Sequence, residues 1–124
     1  MAKQTISDDI FIDLAGESRP LKCSLKAATA VSTRFGGFMG AGSTILNRDL
    51  ASMIFIVRQA IPMRDMSSKD LEEAVYQAGT RNLVDPLTKY IGRLANGGRD
   101  PNLEDDDDRD EGDDEDQDEG NGEG

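Results

Sequence analysis

The segment with the most suggestive spacing is Gly37-Phe38-Met39-Gly40-Ala41-Gly42-Ser43-Thr44. Four residues separate Gly37 from Gly42, and Ser and Thr follow, as in a phosphate-binding loop. The lysine that would face the β- and γ-phosphates is missing after Gly42. The segment also follows a predicted helix, where a phosphate loop must follow a strand. Its small residues point instead to close approach between helices. Acid–base chemistry finds little support, because paired carboxylates need a cleft that shifts their pKa values. Asp8-Asp9 fall in the N-terminal segment and Glu72-Glu73 on the polar face of a predicted helix. The chain has no histidine, which excludes a Ser-His-Asp triad, a Cys-His pair and imidazole metal ligands. Its one cysteine, Cys23, permits neither an internal disulfide nor a thiolate cluster, and in a predicted strand it reads as a small core residue. A calcium loop set on Gly112 would place Asp107 first, Arg109 third, Glu111 fifth and Asp118 twelfth. Arginine at a ligand position and the absence of flanking helices argue against it. No catalytic, cofactor-binding or metal-ligating residue is expected.

What remains is interaction. Among five methionines and four phenylalanines, Phe38, Met39, Met63 and Met66 lie in or beside loops rather than within strong helical stripes. Adaptable thioethers and aromatic rings suit the apolar helices of a partner. The same residues can equally roof a small core. These four are the partner-binding candidates. The bases of the folded part are scattered and not interleaved with aromatic residues, so no nucleic-acid face is expected.

The elements that must position these residues follow from pattern. Ile10-Phe11-Ile12-Asp13-Leu14 and Leu21-Lys22-Cys23 read as strands of a hairpin, with turn signals in Ala15-Gly16-Glu17-Ser18-Arg19-Pro20 between them. Pro20 is expected at a strand start. Ser24 is a plausible N-cap for a helix over residues 25–35, with Leu25, Ala28, Val31 and Phe35 as its apolar face and Gly36-Gly37 as its stop. Residues 38–46 read as a loose short helix. Asp49 caps a helix over residues 50–60, whose Met53-Ile54-Phe55-Ile56-Val57 is apolar on every side and so centrally buried. Ser67-Ser68-Lys69-Asp70 resembles a capping box opening a helix over 69–78. A last helix covers 82–96, or starts at Asp85 if Pro86 must lie in the first turn.

Charge divides the chain at Asn96-Gly97-Gly98. Residues 1–98 carry 10 acids and 12 bases, and residues 99–124 carry 15 acids and 2 bases, with Leu103 the sole large apolar residue there. The expected organisation is a flexible N-terminus at 1–8, an α+β domain at 9–97 with a hairpin and four to five short helices, and a disordered acidic tail at 98–124. No apolar run reaches the roughly 18 residues of a membrane span. Met1-Ala2-Lys3-Gln4-Thr5 shows no secretory pattern, so a reduced, cytoplasmic setting is expected.

This order resembles the tail assembly chaperones of long-tailed phages, in the branch found in gene transfer agents and siphophages of Alphaproteobacteria. The likeness covers about residues 9–97. It rests on the hairpin at 10–23, the Leu25-to-Phe35-Gly36 helix, the Gly-rich short helix at 37–46, Asp49-Leu50 introducing a buried helix, and two helices over 71–96. Members commonly carry an acidic stretch before Phe-Gly, where this chain has Ala30-Val31-Ser32-Thr33-Arg34. The resemblance implies a non-enzymatic morphogenesis factor of the host cytoplasm, absent from the finished particle. Its implied partners are the tape measure protein and the tail tube protein, with no nucleic acid or membrane. Two other readings stay open: a tube or terminator subunit of the tail, and an acidic decoy that binds a basic partner through its tail.

Overall fold

In β1 (Ile10–Leu14), Ile12 and Leu14 are buried while Phe11 and Asp13 face outward, the period-two pattern of a strand with one covered face. β2 (Glu17–Leu21) pairs with it antiparallel, Leu14 opposite Glu17 and Ile10 opposite Leu21. These elements come from a computed structural model that describes residues 10–100. The flexible segment expected at 1–8 and the tail expected beyond Asp100 lie outside the described residues.

The hairpin is tighter than its turn signals predict. Only Ala15-Gly16 form the turn, both with positive φ, 54° and 82°, and the right-handed twist of the strands favours this two-residue geometry. β2 therefore begins at Glu17, and Pro20 sits inside it, opposite Phe11. Hydrogen-bonded and non-bonded pairs alternate outward from the turn, so the Phe11–Pro20 pair exchanges no backbone bond and the missing donor costs nothing.

Five helices follow, completing the α+β domain that the pattern predicts. Ser24 caps α1 (Leu25–Phe35), its hydroxyl accepting from the Ala27 N–H at 3.0 Å. Gly36, at φ 70°, ends it, and the Gly37 N–H returns to the Ser32 carbonyl, a left-handed termination that glycine adopts without strain. α2 (Phe38–Leu46) is a regular helix. α3 (Leu50–Ala60) opens at Asp49, whose carboxylate accepts from the Ser52 hydroxyl instead of capping a backbone N–H. α4 (Ser68–Ala78) is capped by Ser67, which accepts from the Asp70 N–H. α5 runs Thr80–Ala95, earlier than either predicted start, with Pro86 inside it. Burying Leu83 against the core requires helix before the proline. The cost is one lost ladder donor to the Asn82 carbonyl.

The core lies where α3 and α5 meet, with α1, α2 and α4 around them and β1 lying on α4 and α5. Met53, Ile56 and Val57 are fully buried, but Ile54 and Phe55 are only half covered, so α3 is not enclosed all round. Phe55 packs edge-on against Phe35 at 5.8 Å, and the Arg34 guanidinium lies 4.8 Å over its ring. At the other end of α5 the Gly98 N–H donates to the Arg93 carbonyl at 2.8 Å, and Arg93 pairs with Asp100 at 3.8 Å. Residues 98–100, assigned to the tail by composition, are thus held on the domain.

One long-range bond joins the halves. The Tyr90 hydroxyl donates to the Lys22 carbonyl at 2.8 Å, across 68 residues of sequence. The ring is fully buried. Burial first, and the Cys23 thiol beside it second, hold the phenol well above its ordinary pKa of 10.0.

Two substitution pairs test these contacts. A Cβ on Gly40 would overlap the Phe35 carbonyl, whereas one on Gly42 meets open space. Gly40→Ala is expected to destabilise by about 2–3 kcal/mol, and Gly42→Ala to stabilise by about 0.5–1 kcal/mol, in urea unfolding. Tyr90→Phe leaves the Lys22 carbonyl without its donor and should cost about 1–2 kcal/mol at neutral pH. Because the folded phenol is raised, the unfolded chain releases that proton first. The contribution is complete below pH 10.0 and lost as pH climbs above it. The native chain should therefore lose stability above that pH more steeply than Tyr90→Phe, as thermal unfolding against pH will read.

Candidate functional site

The phosphate-loop spacing is built as helix, not loop: Gly37 precedes α2, and Phe38 through Thr44 lie within it, directly after α1. Among the described residues no three His, Cys, Asp or Glu side chains gather into a set able to hold a metal, and no helix is long and apolar enough to cross a membrane.

The four partner-binding candidates separate into two places. Phe38 and Met39 open α2. Phe38 is half-buried against the core, whereas Met39 is 88% exposed. Met63 and Met66 lie in the segment between α3 and α4. Met63 is 58% exposed, and its sulfur accepts from the Ser68 hydroxyl at 3.6 Å. Met66 is only 8% exposed and belongs to the core, which corrects its expected place on an open surface. The cause is Arg58: one guanidinium nitrogen donates to the Ile61 carbonyl at 2.9 Å and another to the Met66 carbonyl at 2.7 Å. That fork folds the segment back under itself and turns Met66 inward.

Met63 and Met66 share an open depression of about 660 Å³ with Arg19, Lys69 and Glu73. Met63 also edges a second one, of about 770 Å³, lined by Lys22, Lys26, Arg58 and Arg64. Phe38 and Met39 line neither.

Sequence reasoning missed several exposed apolar side chains. Leu46, 70% exposed, stands seven residues after Met39 and so within about 20° of it around the helix. Half-exposed Gly42 and exposed Ser43 lie between them, making a shallow apolar stripe on the outer face of α2. The period of seven was available in the sequence as a signal. Leu25, whose spacing predicts the inner face of α1, is 83% exposed. α1 buries Ala27 and Val31, and Leu25 lies about 120° around the helix from Val31. Phe11 and Tyr76 are also exposed.

No protein-family model, curated protein or solved structure matches the chain.

The Arg58 fork is testable by itself. Arg58→Met should cost about 2–4 kcal/mol, since two carbonyls lose charge-assisted donors. Arg58→Lys should recover less than half, because an ammonium lacks the planar fork that reaches both. Urea midpoints of the three forms decide it.

Proposed function

We propose that the chain is a non-enzymatic tail assembly chaperone of the phage and gene-transfer-agent kind, holding the apolar helices of a tape measure protein for the tail tube protein to assemble around. The observation that carries this reading is the outward stripe of Met39 and Leu46 on α2, with small residues between them. Such a face lets a client helix lie close, flanked by two flexible apolar side chains. The element order, a hairpin followed by five helices, agrees with the order that the resemblance rests on. The 15 acids of residues 99–124 supply the charge that keeps an aggregation-prone complex dispersed. In this reading the chain works in the bacterial host cytoplasm and leaves before the particle is finished. Met39 and Leu46 make the client contact, and Met63 is a secondary contact. The largely buried Met66 and the core-packed Phe38 serve the fold.

Co-expression with a tape measure protein tests the reading. The native chain should raise the soluble fraction of the client several-fold, and Met39→Glu with Leu46→Glu should abolish the gain while leaving the thermal transition in place. An unchanged soluble fraction with the native chain would overturn the reading. Full activity of the double variant would remove the α2 stripe as the contact.

A further inference from the structure

The depression of about 770 Å³ between the start of α1 and the segment after α3 is lined by Lys22, Lys26, Arg58 and Arg64, against one acid, Asp65. None of these four cations is in an ion pair among the described residues. The Arg58 donors go to neutral carbonyls, so its charge is hydrogen-bonded but not neutralised. Lys22, Lys26 and Arg64 are exposed. In a domain with near-balanced overall charge this is a concentrated positive site.

Gly97 and Gly98, after α5, lie next to it. Gly98 packs against Cys23, with only 3.6 Å between the Cys23 Cβ and the place a Cβ would take on Gly98. Ser24 lines both the cationic depression and the smaller neighbouring one that Gly97 and Gly98 line. Glu104, Asp105, Asp106, Asp107 and Asp108 follow shortly after Asp100. That run lies within about 14 to 29 Å of extended chain from Asp100. A tether of this length gives a local concentration of the order of millimolar. Single exposed ion pairs are weak, but five consecutive carboxylates brought against four cations would act together.

We propose that this cationic depression is the docking site of the chain's own acidic segment, residues 104–108. The segment neutralises Lys22, Lys26, Arg58 and Arg64 in cis. The contact is electrostatic, so it strengthens as salt falls and is displaced by a competing polyanion or an acidic partner segment.

The test uses the full chain, labelled for backbone NMR, beside a full-length variant carrying Glu104→Gln, Asp105→Asn, Asp106→Asn, Asp107→Asn and Asp108→Asn. Docking predicts that neutralisation moves the amide signals of residues 22–26 and 58–65. It also predicts that salt at about 0.5 M, where the Debye length falls to about 4 Å, produces the same changes in the native chain. Dilution should leave them unaltered. In a chain that also carries Lys26→Glu and Arg64→Glu, neutralising residues 104–108 should no longer move those signals. Changes confined to residues after Asn96, or spread evenly over all helices, would overturn the proposal. Changes that fade on dilution would also overturn it, assigning the site to the acidic segment of a second copy.

Discussion

The backbone of Lys22 is held from both sides. Its N–H donates to the Ala60 carbonyl at the end of α3, and its carbonyl accepts from the buried Tyr90 hydroxyl of α5. A two-stranded hairpin is marginal without something to lie on, and this is where β2 is tied to the two helices at the centre of the core. The next residues, Cys23 and Ser24, lead directly into α1, so the same joint fixes where that helix starts and which way it points. A hydroxyl in the core is acceptable only because it meets an acceptor that would itself be unsatisfied. The bond closes a loop of most of the domain. Closing a loop of that length carries an entropy cost that structured helices within it reduce.

Features encoded by a few neighbouring residues were legible in the sequence. Ser24 and Ser67 are N-caps as read, Gly36 ends α1, and Leu50–Ala60 has the limits its pattern predicts. Features decided by distant partners were not. The signals at residues 15–20 could serve a long turn or a short one, and the burial of Leu14 and Leu21 on one face selected the two-residue form. Pro86 argues locally for a helix starting beside it, yet the burial of Leu83 extends α5 back to Thr80. Leu25 has the spacing of an inner residue, but α1 turned Ala27 and Val31 to the core, small side chains that let neighbouring helices come close.

The exposed apolar surface was half legible for the same reason. Composition can place a methionine in a loop but cannot say whether the loop is folded under. Met63 and Met66 are three residues apart in one connecting segment, and the Arg58 fork separates their fates, leaving one outward and one in the core. The outward stripe of α2 depends on Gly40, which allows the start of α2 to press onto the end of α1 and so fixes the direction of its other face. The two glycines of that helix have different jobs: Gly40 answers to the fold, whereas Gly42 looks onto open space. The α2 stripe and the cationic depression lie on different elements, the bases standing around the start of α1 and the end of α3, where exposed Leu25 and Met63 are their apolar neighbours.

Cys23 sits at the meeting point of these features. It is the only thiol in the chain, half-buried, next to the Lys22 joint and against Gly98. With Gly97 and Gly98 it lines a depression of about 350 Å³, so the one thiol stands as a native reporter at the seam between the two ends of the domain. A maleimide attached there carries its label at that seam without any engineered cysteine.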